Sequence, residues 1–317
     1  MNRLLAIVGP TGAGKSRLAL RLAQAFDGEI VSADSRQVYR HMDIGTAKPS
    51  PKELALVPHH LIDIINLDEN FSLAQYQALA YKAVEDIQKR NKLALLVGGS
   101  GLYVWSVLED WRIPPVPPDL EFRHSLEEKL ARVGKDELYR ELMEVDPVAA
   151  QRIDPRNVRR TIRAIEVHRS IHFPQLQRKE VLPFDKLIIG LTADRTELYR
   201  RIDSRVDEMI KRGWVAEVEK LVNMGYDFNL AAMSGIGYKQ IGMFLRGELT
   251  LAEATQQIKF ETHRFVRHQY AWFRLKDARI KWFDIQKENE IAALVAEFIR
   301  KEDRVRHEFY QDAGCRK

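Results

Sequence analysis

The residues of this chain best suited to chemistry stand near its start, in Gly9-Pro10-Thr11-Gly12-Ala13-Gly14-Lys15-Ser16. The spacing Gly9-x-x-x-x-Gly14-Lys15-Ser16 is a complete phosphate-binding loop. Glycine lets the backbone fold closely around an anion, and the N–H groups that open the following helix point at it. Lys15 adds a point charge, and the Ser16 hydroxyl is placed to reach a magnesium ion. All eight residues are therefore expected around a diphosphate or triphosphate, with Ser16 as the contact to Mg2+. Three further groups could act on what the phosphate carries. Asp34 ends an apolar run and is either a functional carboxylate or a turn aspartate before Ser35-Arg36. Ser100 follows Gly98-Gly99 and offers a hydroxyl. Arg205 lies in a basic helical stretch that suits a lid reaching the phosphates, or else pairs on the surface with Asp207 or Glu208.

These groups need a scaffold that brings them together, and the pattern around them supplies one. Leu4-Leu5-Ala6-Ile7-Val8 reads as a buried strand, Arg17 to Ala23 as a helix, and Gly28 to Asp34 as a second strand. A right-handed βαβ crossover puts the ends of both strands at one sheet edge, so Asp34 is expected to face Lys15. Leu93-Ala94-Leu95-Leu96-Val97 predicts a third strand ending beside them. Ser72 caps a helical pattern that runs to Arg90. The segments Met42 to Pro49 and Val57 to Asp63, punctuated by Gly and Pro, are expected to be loops at the ligand edge. His59 and His60 are adjacent, so their side chains diverge, and no third ligand makes them a metal site.

The run Arg112-Ile113-Pro114-Pro115-Val116-Pro117-Pro118 cannot continue a helix or a central strand and marks a connector. Helical periodicity follows to about residue 182, and Lys186 to Thr192 returns to strand character. The fold class expected is α/β: a P-loop NTPase-like parallel sheet flanked by helices, with an all-helical insertion domain. The core spans 1–114 and 183–317, and the insertion 115–182.

With 45% hydrophobic and 30% charged residues the 317-residue chain has the composition of a soluble globular protein. No apolar run approaches a membrane span, and the single cysteine, Cys315, excludes a disulfide framework, which suits a cytoplasmic protein. The net charge of +5 mildly favours an acidic partner. Its distribution says more. Between Arg152 and Arg169 six arginines stand against Asp154 and Glu166, and arginine's planar fork suits phosphates and base stacking. From Lys259 to Lys281 seven basic residues stand against two acids. If this stretch is a helix, Ile258, Phe265 and Trp272 share a core stripe, while His263, Arg267, Tyr270 and Arg274 share a second stripe suited to RNA or to solvent.

Taken in order, Gly9-Pro10-Thr11-x-x-Gly14-Lys15-Ser16, Ser32-Ala33-Asp34-Ser35-Arg36-Gln37-Val38-Tyr39, Asp43-Ile44-Gly45-Thr46-Ala47-Lys48-Pro49, His59-His60-Leu61-Ile62-Asp63, Gly98-Gly99-Ser100-Gly101-Leu102-Tyr103, Arg163-Ala164-Ile165-Glu166-Val167 and Ile236-Gly237-Tyr238-Lys239 resemble the bacterial tRNA dimethylallyltransferases. The resemblance implies transfer of a dimethylallyl group from its diphosphate to N6 of the adenosine on the 3′ side of the anticodon. It implies Asp34 as the base and Ser100 at a position where the family usually has Thr; with these, Lys15 and Arg205 are expected to be catalytic and Mg2+ the cofactor, on the readings of the P-loop and the lid helix. It places tRNA contacts at Asp34, Ser35, Arg36, Gln37, Ser100, Arg123, Arg159, Arg160, Thr161, Ile162, Arg163, Ser234, Gly235, Ile236, Gly237, Tyr238 and Lys239. The partners expected are the anticodon stem-loop of tRNA and dimethylallyl diphosphate, acting on a monomer. An adenylate isopentenyltransferase or an ATP-using P-loop kinase stands as the alternative.

Overall fold

Strands that are apolar on both faces must be covered on both faces, and β1 (Arg3–Val8) is buried along its whole length. The structure, a computed structural model, describes residues 3–114, 116, 119–170 and 184–300. Pro115, Pro117 and Pro118 of the expected connector, Cys315, and the charged tail from Lys301 lie outside the described residues. The chain divides into two units, Met1–Trp111 with Val181–Lys317, and Arg112–Glu180.

In the first unit β1 is followed by α1 (Lys15–Ala25), β2 (Gly28–Ser32), α2 (Pro51–Leu56), β3 (His59–His60), α3 (Leu73–Lys89), β4 (Leu93–Val97) and α4 (Gly101–Leu108). The second unit holds α5 (Leu120–Val133), α6 (Lys135–Val145), α7 (Pro147–Arg152) and α8 (Val158–Arg169). The first unit then resumes with β5 (Asp185–Thr192), α9 (Arg195–Lys211), α10 (Trp214–Asn223), α11 (Tyr238–Leu245), α12 (Leu251–Trp272) and β6 (Ile280–Asp284). The six strands pair in the order β3-β2-β4-β1-β5-β6, every pair parallel. Alternation along β1 divides the core: Leu5 and Ile7 pack on one face of the sheet, Leu4, Ala6 and Val8 on the other.

Register carries the functional consequence. Ile7 pairs with Val97 and Ser32 also pairs with Val97, so β1, β4 and β2 end level at one edge. Backbone bonds continue past the strands, from Ala33 N–H to the Val97 carbonyl at 2.7 Å and from Gly98 N–H to the Ile7 carbonyl at 3.2 Å. The loops that carry the P-loop, Asp34 and Gly98-Gly99 thus leave the sheet side by side.

Ser72 caps α3 as its sequence predicts, forming a reciprocal pair with Gln75. The basic stretch from Lys259 to Lys281 is not one helix. α12 ends at Trp272, a turn in which the Asp277 carbonyl accepts Ile280 N–H at 3.0 Å follows, and Lys281 lies in β6. The strand forms because β5 offers a free edge, on which Ile280 pairs with Ile188 and buries its side chain.

The second unit has its own core, built on Leu126, Leu138, Leu142, Ala150, Ile162 and Ile165. Beside it lies Glu166, whose side chain is 1% exposed. Its carboxylate accepts Arg123 Nε at 3.0 Å, Arg123 Nη2 at 2.9 Å, Arg163 Nη1 at 2.5 Å and the Asp119 N–H at 2.7 Å. Burial opposes its ionisation, and these donors outweigh burial, leaving the carboxyl below its ordinary value of 4.5. A carboxyl held down by folding adds stability above its unfolded value and loses it as pH falls through the folded one. Glu166→Gln is expected to lower the opening free energy of α8 amides, read by hydrogen exchange, by about 2 kcal/mol. The difference from the parent is expected to be constant from pH 7 to 5 and to shrink below pH 4.5.

Candidate active site

The P-loop has the backbone its glycines anticipate. Gly9 adopts φ 132°, and a Cβ there would collide with the Leu191 carbonyl of β5. α1 starts at Lys15 with no side-chain cap and no acid in its first turn, whereas Ser72 caps α3 and Thr250 caps α12. Its first amides are left for another acceptor. Lys15 Nζ rests on the Pro10 carbonyl at 2.7 Å. Burial lowers its pKa to about 8, with Asp34 pulling upward and Arg205 pushing further down. Arg205 is likewise lowered, first by desolvation of its guanidinium at the cavity although the residue as a whole is exposed, while Asp34 favours its charge.

These groups line a cavity of about 450 Å³. Thr11, Gly12, Gly14, Lys15 and Ser16 form its P-loop wall, and Gly9, Pro10 and Ala13 are buried behind them. Asp34 and Gln37 come from the segment after β2, Gly98 and Gly99 from the turn after β4. Arg201 and Arg205 come from α9, Phe265 and Gln269 from α12. Arg205 is not a surface partner of Asp207, which binds Lys259 at 2.7 Å; its Nη1 lies 3.4 Å from Thr11 Oγ1.

Asp34 both makes a local turn and faces the cavity. Oδ1 accepts the Arg36 N–H at 2.8 Å in a local turn, and the carboxylate still lines the cavity. Ser100 is not among the residues that line the cavity. Its Oγ accepts Ser35 N–H at 3.0 Å and lies 3.3 Å from Ser35 Oγ, so it fixes the Asp34 segment while Gly98 and Gly99 form the wall.

The residues expected to touch RNA separate into exposed and engaged groups. Arg159, Arg160, Ser234 and Lys239 are exposed. Arg123 and Arg163 are held by Glu166, and Thr161 and Ile162 are buried in the second unit. Arg36 donates to the Ala231 and Ala232 carbonyls at 2.9 and 3.2 Å, with Gly235 packed on it. Gly237 is buried and Ile236 half-buried. Tyr238, 2% exposed, gives its hydroxyl to Glu217 at 2.6 Å, so its side chain is a support and not a surface contact. On α12 the expected RNA stripe breaks up. His263 pairs with Asp203 at 2.8 Å and stacks on Tyr199, and Tyr270 bonds Thr192 Oγ1 at 2.7 Å. Phe265, assigned by periodicity to the core, is exposed to the cavity.

Known proteins place this geometry. The family described as IPP transferase matches residues 37–276. The chain belongs to the IPP transferase family. It is 47% identical over 300 residues to the tRNA dimethylallyltransferase of Dehalococcoides mccartyi, covering 93% of this chain and 92% of that one. It is 52% identical over 276 residues to the tRNA dimethylallyltransferase of Roseiflexus castenholzii, covering 86% and 90%. Among solved structures, the tRNA isopentenylpyrophosphate transferase of Bacillus halodurans superposes with a TM-score of 0.71 at 39% identity, covering 97% of this chain and 100% of that one. A eukaryotic dimethylallyltransferase acting on tRNA superposes with a TM-score of 0.79 at 26% identity, covering 95% and 80%.

In this family member several site residues carry no local sequence signal. Glu217 on α10 accepts the N–H groups of Asp43, Ile44 and Gly45 at 2.9, 2.6 and 3.2 Å, and so holds the loop that contributes Thr46 to Pro49 to the cavity. Lys48, its side chain 5% exposed, ties that loop to Asp43 at 2.7 Å and Asp63 at 2.5 Å. His60 pairs with the buried Glu29 at 2.8 Å, while His59 lines the cavity. Among the described residues no cluster of three His, Cys, Asp or Glu could hold a metal. Magnesium bound to a diphosphate keeps several waters and needs only one or two protein oxygens, and the Ser16 hydroxyl and Asp34 in one cavity fit that modest demand.

A lysine that loses its proton near pH 8 regains it beside a diphosphate. Diphosphate binding is therefore expected to take up a proton above pH 8, to weaken as pH rises further, and to show no such uptake below pH 7. Calorimetry in buffers of different ionisation enthalpy measures this, and Lys15→Met is expected to abolish the uptake.

Proposed function

We propose that the protein transfers the dimethylallyl group of dimethylallyl diphosphate to N6 of the adenosine on the 3′ side of the anticodon in tRNA, releasing diphosphate. One observation carries the reading: a single cavity brings together two cations, half-buried Lys15 and exposed Arg205, an uncapped helix start, and two acids, of which Glu53 is taken up in the cap of α2 and Asp34 is left. The cations and amides suit a leaving diphosphate, and the carboxylate suits a proton leaving an amine.

The N6 lone pair attacks C1 of the dimethylallyl group. The N6–C1 bond forms as the C1–O bond breaks, and the electron pair of the latter stays on the diphosphate. Asp34 accepts the N6 proton, which makes a weakly nucleophilic amine competent. Lys15, Arg205 and the first amides of α1 stabilise the charge that develops on the leaving oxygen. Mg2+, when bound to the diphosphate with Ser16 as a protein ligand, neutralises part of that charge. The target adenosine leaves the anticodon-loop stack to enter the cavity. Arg159 and Arg160 on α8, and Lys239 at the start of α11, are exposed cations suited to RNA phosphates. The protein acts where tRNA is, in the cytoplasm.

Supplying AMP, ATP and unmodified tRNA to one preparation with dimethylallyl diphosphate separates this reading from adenylate prenylation and from phosphoryl transfer. Prenylated tRNA alone is expected; efficient use of AMP, or γ-phosphate release without prenylated RNA, overturns it. Asp34→Asn is expected to lower kcat about 10²- to 10⁴-fold with diphosphate affinity nearly unchanged. Replacing Arg159 and Arg160 by alanine is expected to raise the tRNA KM and to flatten the salt dependence of tRNA binding, by roughly one in log–log slope for each phosphate left without its cation.

A further inference from the structure

Gln269 lies in the last turn of α12 with 4% of its surface exposed, and its side-chain amide joins two loops of the sheet edge. Oε1 accepts the Thr11 N–H at 2.9 Å, and Nε2 donates to the Gly99 carbonyl at 3.1 Å. Thr11 follows β1 and Gly99 follows β4, and these strands are paired directly. The fit is close, since a Cβ on Gly99 would collide with Gln269 Nε2. The helix that presents the amide is itself fixed. Tyr270 bonds Thr192 Oγ1 at 2.7 Å, Trp105 Nε1 donates to the Trp272 carbonyl at 3.1 Å, and Phe273 is fully buried.

A P-loop N–H that is given to a side chain is closed to an anion. Thr11 N–H is given to Gln269, so the phosphate is left with the amides nearer the start of α1, beside Lys15. We propose that Gln269 is the positioning residue of this site: it pins the first half of the P-loop to Gly99 and thereby sets the depth of the diphosphate opposite Asp34. This rests on reading the cavity as a diphosphate site. Glutamine suits the task because one neutral group both accepts and donates. A glutamate could accept from Thr11, but it could not donate to Gly99, and its charge would repel the anion. Leucine keeps the bulk and loses both bonds, leaving Thr11 N–H and the Gly99 carbonyl without their partner.

The test uses the full-length protein, inorganic diphosphate as the calorimetric probe, and steady-state kinetics with dimethylallyl diphosphate and tRNA. Gln269→Leu is expected to raise the diphosphate Kd about tenfold, and Gln269→Glu to raise it further, because charge repulsion adds to the lost bond. The KM for dimethylallyl diphosphate is expected to rise in parallel while the tRNA KM changes less than about twofold. Binding stoichiometry reports the folded fraction, so a merely destabilised variant shows fewer sites with an unchanged Kd. Should Gln269→Leu fail to fold, Gln269→Glu, which has nearly the parent shape, decides alone. An unchanged diphosphate Kd at full stoichiometry, or an equal rise in both KM values, overturns the proposal. Absence of diphosphate binding by the parent protein overturns the diphosphate reading and this proposal with it.

Discussion

Two cations held against one cavity repel, and much of this structure holds half-buried Lys15 and exposed Arg205 in that arrangement. Desolvation at the cavity lowers the proton affinity of both, and for each it is Asp34 that opposes this by favouring the charged form. Such a pair persists only where packing fixes it, and an incoming dianion relieves it. Lys15 is fixed by the Pro10 carbonyl. Arg205 is fixed by its helix: Leu198, Ile202, Val206 and Met209 of α9 are buried, and the ion pair of Lys259 with Asp207 and the stacking of His263 on Tyr199 tie α9 to α12. The same two helices supply Arg201, Phe265 and Gln269 to the cavity, so the element that restrains the cations also completes the walls.

Part of this was legible in the chain because the signals are local. Five apolar residues before Gly9 and five before Gly98 can only be strands buried on both faces, and a parallel sheet brings their ends to one edge. Ser72 and Gln75 stand three residues apart, and the capping pair they form is visible without any tertiary information. The P-loop likewise carries its chemistry in eight consecutive residues.

What stayed hidden depends on separation along the chain. Gln269 reaches Thr11 and Glu217 reaches Ile44, pairs that periodicity cannot connect. β3 has two residues and β6 owes its existence to the edge of β5, so neither has a period to read. The arginine run between Arg152 and Arg169 shows how composition misleads. Counting charges treats its members alike, yet Arg163 is committed to Glu166 and Arg156 to Asp154, while Arg159 and Arg160 are exposed. Charge density locates a basic face, and only the pairing says which cations on it are engaged.

The carboxylates of the molecule follow a similar division, and it bears on which one can act as a base. Glu29 is met by His60, Arg90 and Lys92 at 2.8, 2.6 and 3.6 Å. Glu166 is met by two arginines and a backbone amide, and Glu217 by three backbone amides and the Tyr238 hydroxyl. A carboxylate has about four lone-pair sites, and donors that occupy most of them leave no room for a substrate proton. Glu53, the other acid on the cavity wall, is taken up in the capping pair of α2 with Ser50. At Asp34 the hydrogen bond found among the described residues is a backbone one, to Oδ1. Acceptor capacity at the cavity wall therefore remains at Asp34, the carboxylate that also opposes Lys15 and Arg205. A group so placed can take a proton from the amine at one end of the reaction while the cations receive the diphosphate at the other.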